Sequence, residues 1–130
     1  MTNPIVPFVA RILLAALFLV SGFNKISNVA GTTGYLGKLG LPSPGILVWA
    51  VIATELLGGL LLVIGWRTRW VAVGMAIFTL LTAVFGHAFW NFEGQQASMQ
   101  MTQFLKNLAI IGGFLMLWAG GPGRLSVDRQ

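Results

Sequence analysis

An all-α bundle of four transmembrane helices is the fold this sequence predicts, on three observations. Of 130 residues, 56% are hydrophobic and 8% charged, and the mean hydropathy is +0.83; a soluble domain carries roughly 25% charge. Apolar runs recur four times, each long enough to span a bilayer at about 20 residues per crossing. Glycine, proline or charge separates them. Four spans leave little chain over, so residues 1–130 are expected to form a single membrane domain.

The first helix is expected at 7–27. Its apolar run at 12–20 has the length of a signal-peptide core, but no basic stretch precedes Arg11 and no small-x-small cleavage site follows. A retained span is therefore expected. Residues 28–43 carry Gly31, Gly34, Gly37 and Gly40 at a spacing of three, with Tyr35, Leu36, Leu39 and Leu41 among them. An interfacial or re-entrant segment is the alternative there to a plain linker. The second helix is expected at 44–65, because Pro44 suits a first turn and Gly65 precedes the basic pair Arg67 and Arg69. The third is expected at 70–90. The fourth is expected at 101–120, closed by Gly120, Gly121, Pro122 and Gly123. Trp66, Trp70, Trp90 and Trp118 fall near these ends, where indoles favour the headgroup boundary.

Charge sets an expected orientation. With four spans the termini and the second loop share a side, which collects Arg11, Arg67, Arg69, Arg124 and Arg129. Lys25, Lys38 and Glu93 fall on the other, so both termini are expected in the cytoplasm. The net charge is +5, from eight Lys and Arg against Glu55, Glu93 and Asp128. These cations flank apolar runs, so the lipid bilayer, and no nucleic acid, is the expected partner. Absence of cysteine excludes disulfides, thiolate nucleophiles and cysteine-ligated iron–sulfur centres. The lone His87 is too little for a metal cage, and the glycines at 31–40 lack the dinucleotide spacing. No metal and no cofactor bound by motif is expected.

Glu55 is the costliest residue in the chain. Between Ile46 and Trp66 the only other polar side chain is Thr54, and Glu55 would lie about 14 to 16 Å from either end of that span. An ionised group at such depth costs several kcal/mol unless paired. On the first helix Arg11, Ala15, Phe18, Gly22 and Lys25 fall at increments of four, three, four and three, one face with a cation near each end, about 21 Å apart. The fourth helix adds Lys106 and Asn107, and the third brings His87 at a similar depth. Long side chains would let Lys25 or Lys106 reach down, and Arg11 up, toward Glu55. Each has a plainer role: snorkelling for Arg11, Lys25 and Lys106, an interfacial polar contact for His87, a lock between helices one and two for Glu55. Three cations around one carboxylate would leave positive potential suited to a small anion or a polarised carbonyl such as a quinone headgroup, with Phe89 or Trp90 packing on the ring.

A faint internal likeness is present. Glu55 is followed by Gly58-Gly59 and Lys106 by Gly112-Gly113, on helices of the same direction, compatible with two parallel helix pairs.

Several stretches together carry a family resemblance. They are Ala10-Arg11-Ile12-Leu13 with Gly22-Phe23-Asn24-Lys25-Ile26, Tyr35 followed by Gly40-Leu41-Pro42, and Glu55-Leu56-Leu57-Gly58-Gly59. Lys106-Asn107-Leu108, Gly121-Pro122-Gly123 and the closing Leu125-Ser126-Val127-Asp128-Arg129 complete them. In order and spacing the chain resembles the DoxX family of small bacterial membrane proteins, in its YqjF-like branch. The resemblance implies a multi-pass inner-membrane protein associated with membrane oxidoreductases, with Arg11, Lys25, Glu55, Lys106 and Asn107 at the similar positions. The expected function is binding of a quinone or small anion near Glu55 by Arg11, Lys25, Glu55, His87, Lys106 and Asn107, alongside a redox partner protein. A small dimeric transporter and a non-catalytic structural subunit are the alternatives, and no catalytic residue is assigned.

Overall fold

The computed structural model describes residues 3–129. Its spans are α1 (Ile5–Ile26), α3 (Pro44–Ile64), α4 (Thr68–Gly86) and α5 (Gly94–Gly120); a ten-residue α2 (Val29–Lys38) follows α1, and a 3-10 turn (Phe89–Asn91) precedes α5. All four expected spans are present. The segment 28–43 is not a plain linker: the Asn28 side chain accepts from Gly31 N at 3.1 Å and caps α2. At about 15 Å this helix is too short to cross. It lays Leu36 on Val48 and Ile52 of α3.

The expected boundaries of the last two spans move. α4 stops at Gly86 instead of 90, because His87 leaves helical geometry (φ −129°, ψ 49°). α5 begins at Gly94 instead of 101. Gln95, Gln96, Ser98 and Gln100 form helix without an apolar pattern to announce it.

α1 packs along α3, and α4 along α5. Those are the pairs implied by the repeated glycines, but the glycines serve differently. A Cβ on Gly22 would lie 2.7 Å from Leu56 Cδ2, and one on Gly59 2.8 Å from Leu19 Cδ2, so α1 and α3 approach as they do only because these positions lack side chains. Gly112 instead faces open space. The tight core, Ala15, Phe18, Leu62, Ala72, Met75, Phe114 and Leu117, fills the half of the bundle nearer the termini. There Gly58 of α3 accepts the Met75 sulfur of α4 against its backbone. Farther from the termini these two helices part, and space opens between them.

Arg11 closes the termini end. The residue is fully buried. Its Nη1 donates to Leu62 O at 2.7 Å and Val63 O at 2.9 Å, its Nε to Pro122 O at 3.1 Å, and its Nη2 to Leu125 O. One guanidinium thus occupies carbonyls at the end of α3 and in the closing segment. That segment also donates Val127 N to Ile64 O at 2.9 Å and Asp128 N to Gly65 O at 3.0 Å. Asp128 in turn accepts from Arg67 N at 2.8 Å and Thr68 N at 2.7 Å, capping α4. Burial alone would push the Asp128 carboxyl up, but the two amides and the Arg11 charge outweigh it and hold it below the usual range.

Candidate functional site

Lys25 Nζ lies 2.7 Å from Glu55 Oε1, the ion pair recorded among the described residues. It exists because Gly22 lets α1 press on α3 one turn away, with the Glu55 Cβ itself 3.2 Å from where a Cβ on Gly22 would stand. Ser21 steadies the ammonium by accepting from Nζ at 2.6 Å. Glu55 is 3% exposed, whereas the Lys25 side chain is 29% exposed. The Lys25 ammonium is the charged partner that the structure gives the buried Oε1. Pairing offsets the desolvation that forbids a lone carboxylate here.

Two adjoining cavities lie beside this pair. The larger, of about 530 Å³, is an apolar cleft between α3 (Leu47, Ala50, Val51, Thr54) and α4 (Phe78, Leu81, Thr82, Phe85, Gly86), roofed by Tyr35 of α2 and by Leu39 just past its end. The Tyr35 hydroxyl donates to Gly86 O at 3.0 Å and ties the roof to the end of α4. Burial pushes the pKa of that hydroxyl up, which keeps it a donor. The smaller, of about 230 Å³, is the more polar of the two: Ser21, Lys25, Glu55, Thr79, Thr82, His87, Gln103 and Asn107 line it together with five apolar residues. Lys25, Val51, Phe78, Thr82 and His87 are common to both, so two cationic or ionisable side chains stand at the junction.

His87 reaches this position because it ends α4 and turns inward. Its Nδ1 meets Gln100 Oε1 at 2.9 Å. An amide oxygen only accepts, so with the amide oriented this way Nδ1 carries the hydrogen and Nε2 remains an acceptor in the neutral ring. Asn107 donates from Nδ2 to Thr82 Oγ1 at 3.1 Å and to Thr79 O at 3.3 Å, fixing α5 on α4.

Of the five residues expected around Glu55, the structure gathers Lys25, His87 and Asn107. Arg11 does not join them; the carbonyls at the termini end hold its guanidinium. Lys106 does not join them either. Neighbouring residues on a helix point about 100° apart, and with Asn107 turned inward Lys106 is exposed on the outer face of α5. The expected surplus of positive charge is thus absent: one cation meets one carboxylate. Phe89 and Trp90 pack edge-to-face with each other and with Phe104, and line neither cavity. The phenylalanines that line the larger cavity are Phe78 and Phe85. Sequence reasoning passed over Ser21, Thr82 and Gln103, although Ser21 precedes Lys25 by one turn and Gln100, Gln103 and Asn107 share a helical face.

Residues 6–88, from α1 to just past the end of α4, match the DoxX family model. The chain belongs to the DoxX family. This DoxX protein is 46% identical over 122 residues to the inner membrane protein YqjF of Escherichia coli (strain K12), an alignment covering 93% of this chain and 88% of the relative. It is 37% identical over 128 residues to the inner membrane protein YphA of the same organism, covering 98% of this chain and 91% of that one. A Bacillus subtilis (strain 168) protein named "Putative oxidoreductase CatD" is 36% identical over 74 residues, 57% of this chain and 53% of its own length. No solved structure matches. With four apolar spans and these relatives, this DoxX chain is a multi-pass protein of the inner membrane.

Proposed function

We propose that this DoxX protein binds a quinone, its ring at the junction of the two cavities and its apolar tail along the cleft between α3 and α4. The observation that carries the reading is the junction itself, where Lys25 and His87 face an apolar cleft of about 530 Å³. That volume is in the range of small-molecule sites, and an apolar space with few convergent polar groups is their usual form. A quinone has two carbonyl acceptors on a flat ring, and the Lys25 ammonium supplies a donor for one. With the Gln100 amide turned over, its NH2 donates to His87 Nδ1 and the neutral ring presents Nε2–H as the donor for the other. Phe78 and Phe85 offer apolar surface to the ring.

Charge balance favours a neutral ligand over a small anion. Lys25 is already neutralised by Glu55, so an anion would meet no uncompensated cation in the chamber. The same pairing argues against exchange of a cationic solute on a free carboxylate. The chain has no cysteine to ligate an iron–sulfur centre, so in this reading electrons reach the quinone from a partner oxidoreductase; the name of the Bacillus subtilis relative is in keeping with that role. In the same reading both termini face the cytoplasm, with Arg67, Arg69, Arg124 and Arg129 on that side.

Purification of the full chain followed by solvent extraction and mass spectrometry tests the proposal. Wild-type protein is expected to carry quinone, or to retain an added decyl-tailed benzoquinone. Lys25→Met and His87→Leu are expected to lose it, and Lys106→Met to keep it. Retention by the first two variants equal to wild type would refute the site, as would a wild type that holds none.

A further inference from the structure

Glu55 lines only the smaller chamber, while Lys25 and His87 line both. A ring seated at the junction therefore touches Lys25 and His87 but not the carboxylate. From this geometry we infer that Glu55 is a proton carrier for a ligand it does not contact, working through Lys25 from water held in the smaller chamber. The inference rests on the quinone reading above.

Three features lead to it. The chamber is ample for water at about 230 Å³, and Ser21, Gln103 and Asn107 in its wall offer water polar partners. Glu55 lines this chamber and not the cleft, so water held there meets the carboxylate where a ligand in the cleft does not. Phe18, Leu62, Met75 and Phe114 pack closed the termini half of the bundle, while His87 and Gln103 stand in the chamber wall toward the other end. The charged or titratable groups facing Glu55 are Lys25 from α1 and His87 from the end of α4; α5 contributes the neutral Gln103 and Asn107.

Reduction of a quinone to a quinol takes two electrons and two protons, one proton for each ring oxygen. The electrons come from an external donor, a reduced flavin or iron–sulfur protein. Lys25 gives its ammonium proton to the nearer oxygen. Glu55 takes a proton from chamber water and returns it to the Lys25 amine, restoring the ion pair, and the second ring oxygen, held by His87, takes its proton from the same water, so that two protons are drawn from the medium in all. General acid catalysis of this kind is worth about a hundredfold or more in rate.

The test uses purified full chain loaded with a decyl-tailed benzoquinone. Electrochemically triggered infrared difference spectroscopy follows the carboxyl, and a pH dye in weak buffer follows proton consumption. Expected for wild type is a carboxyl signal on reduction that disappears in Glu55→Gln, with proton uptake slowed at least about tenfold and quinone retention within about threefold. Asn107→Leu, which makes a chamber wall apolar and leaves the ion pair in place, is expected to slow uptake likewise, and it carries the test should Glu55→Gln fail to fold. Quinone bound with carboxyl signal and uptake rate unchanged in these variants overturns the inference alone. Absence of quinone binding by wild type overturns it together with the reading on which it rests.

Discussion

Replacing Arg11 with Met separates a structural role from a place in the site. The substitution keeps most of the length and the apolar stem but removes donors to Leu62, Val63, Pro122 and Leu125. The bonds to Leu62 O and Pro122 O are buried, and the other two are partly exposed, where water can replace the lost donor. At about 2 kcal/mol for each buried bond to a charged donor, the loss comes to about 4 kcal/mol. Reversible unfolding in mixed micelles measures it, and quinone retention by the folded fraction is measured in parallel. A loss of about 3 to 5 kcal/mol with unchanged retention is expected. A loss below about 1 kcal/mol, or a stable variant that no longer holds quinone, would refute the assignment of Arg11 to the frame.

Four other outcomes are expected. The Asp128 carboxyl is held below its usual value, so its contribution to stability is present above the unfolded value of about 3.8 and is lost as pH falls through the lower folded value; unfolding against pH is expected to show this acid loss in wild type and not in Asp128→Asn. Gly59→Ala sets a Cβ 2.8 Å from Leu19 and 3.4 Å from Ala15 O and is expected to cost about 1 to 3 kcal/mol in the same unfolding assay, whereas Gly112→Ala, with nothing near, is expected to stay within about 0.5 kcal/mol. Tyr35→Phe removes the 3.0 Å tie to Gly86 O and is expected to lose about 1 kcal/mol and to speed maleimide labelling of a cysteine placed at Thr54. Lys106→Met is expected to leave quinone retention at the wild-type level, because Lys106 faces outward from α5.

Along single helices the sequence was informative. Increments of four, three, four and three placed Arg11, Ala15, Phe18, Gly22 and Lys25 on one face, and the structure buries the first four of these and turns that face inward. Periodicity fixes angle around a helix axis, so such a reading needs no partner. It failed at the start of α5, where polar Gln95 to Gln100 are helical without apolar periodicity, and at the end of α4, where His87 departs from helix with no proline to mark it.

Which charges would meet was not a property of any one helix. From sequence, Arg11, Lys25 and Lys106 were equivalent candidates for Glu55, since each lies within a long side chain's reach of some arrangement of the bundle. Close packing at Gly22 and Gly59 set α1 against α3 so that Lys25 reaches Glu55 at 2.7 Å. The closing segment folded back under α3 and took Arg11 for its carbonyls. Asn107, drawn to Thr82, turned Lys106 outward. Four apolar spans, their amphipathic faces and a carboxylate that had to be paired are all legible in the order of residues, because hydropathy, helical period and desolvation act locally. The partner of that carboxylate and the cavities beside it come from the packing, because they depend on how closely helices distant in sequence approach one another.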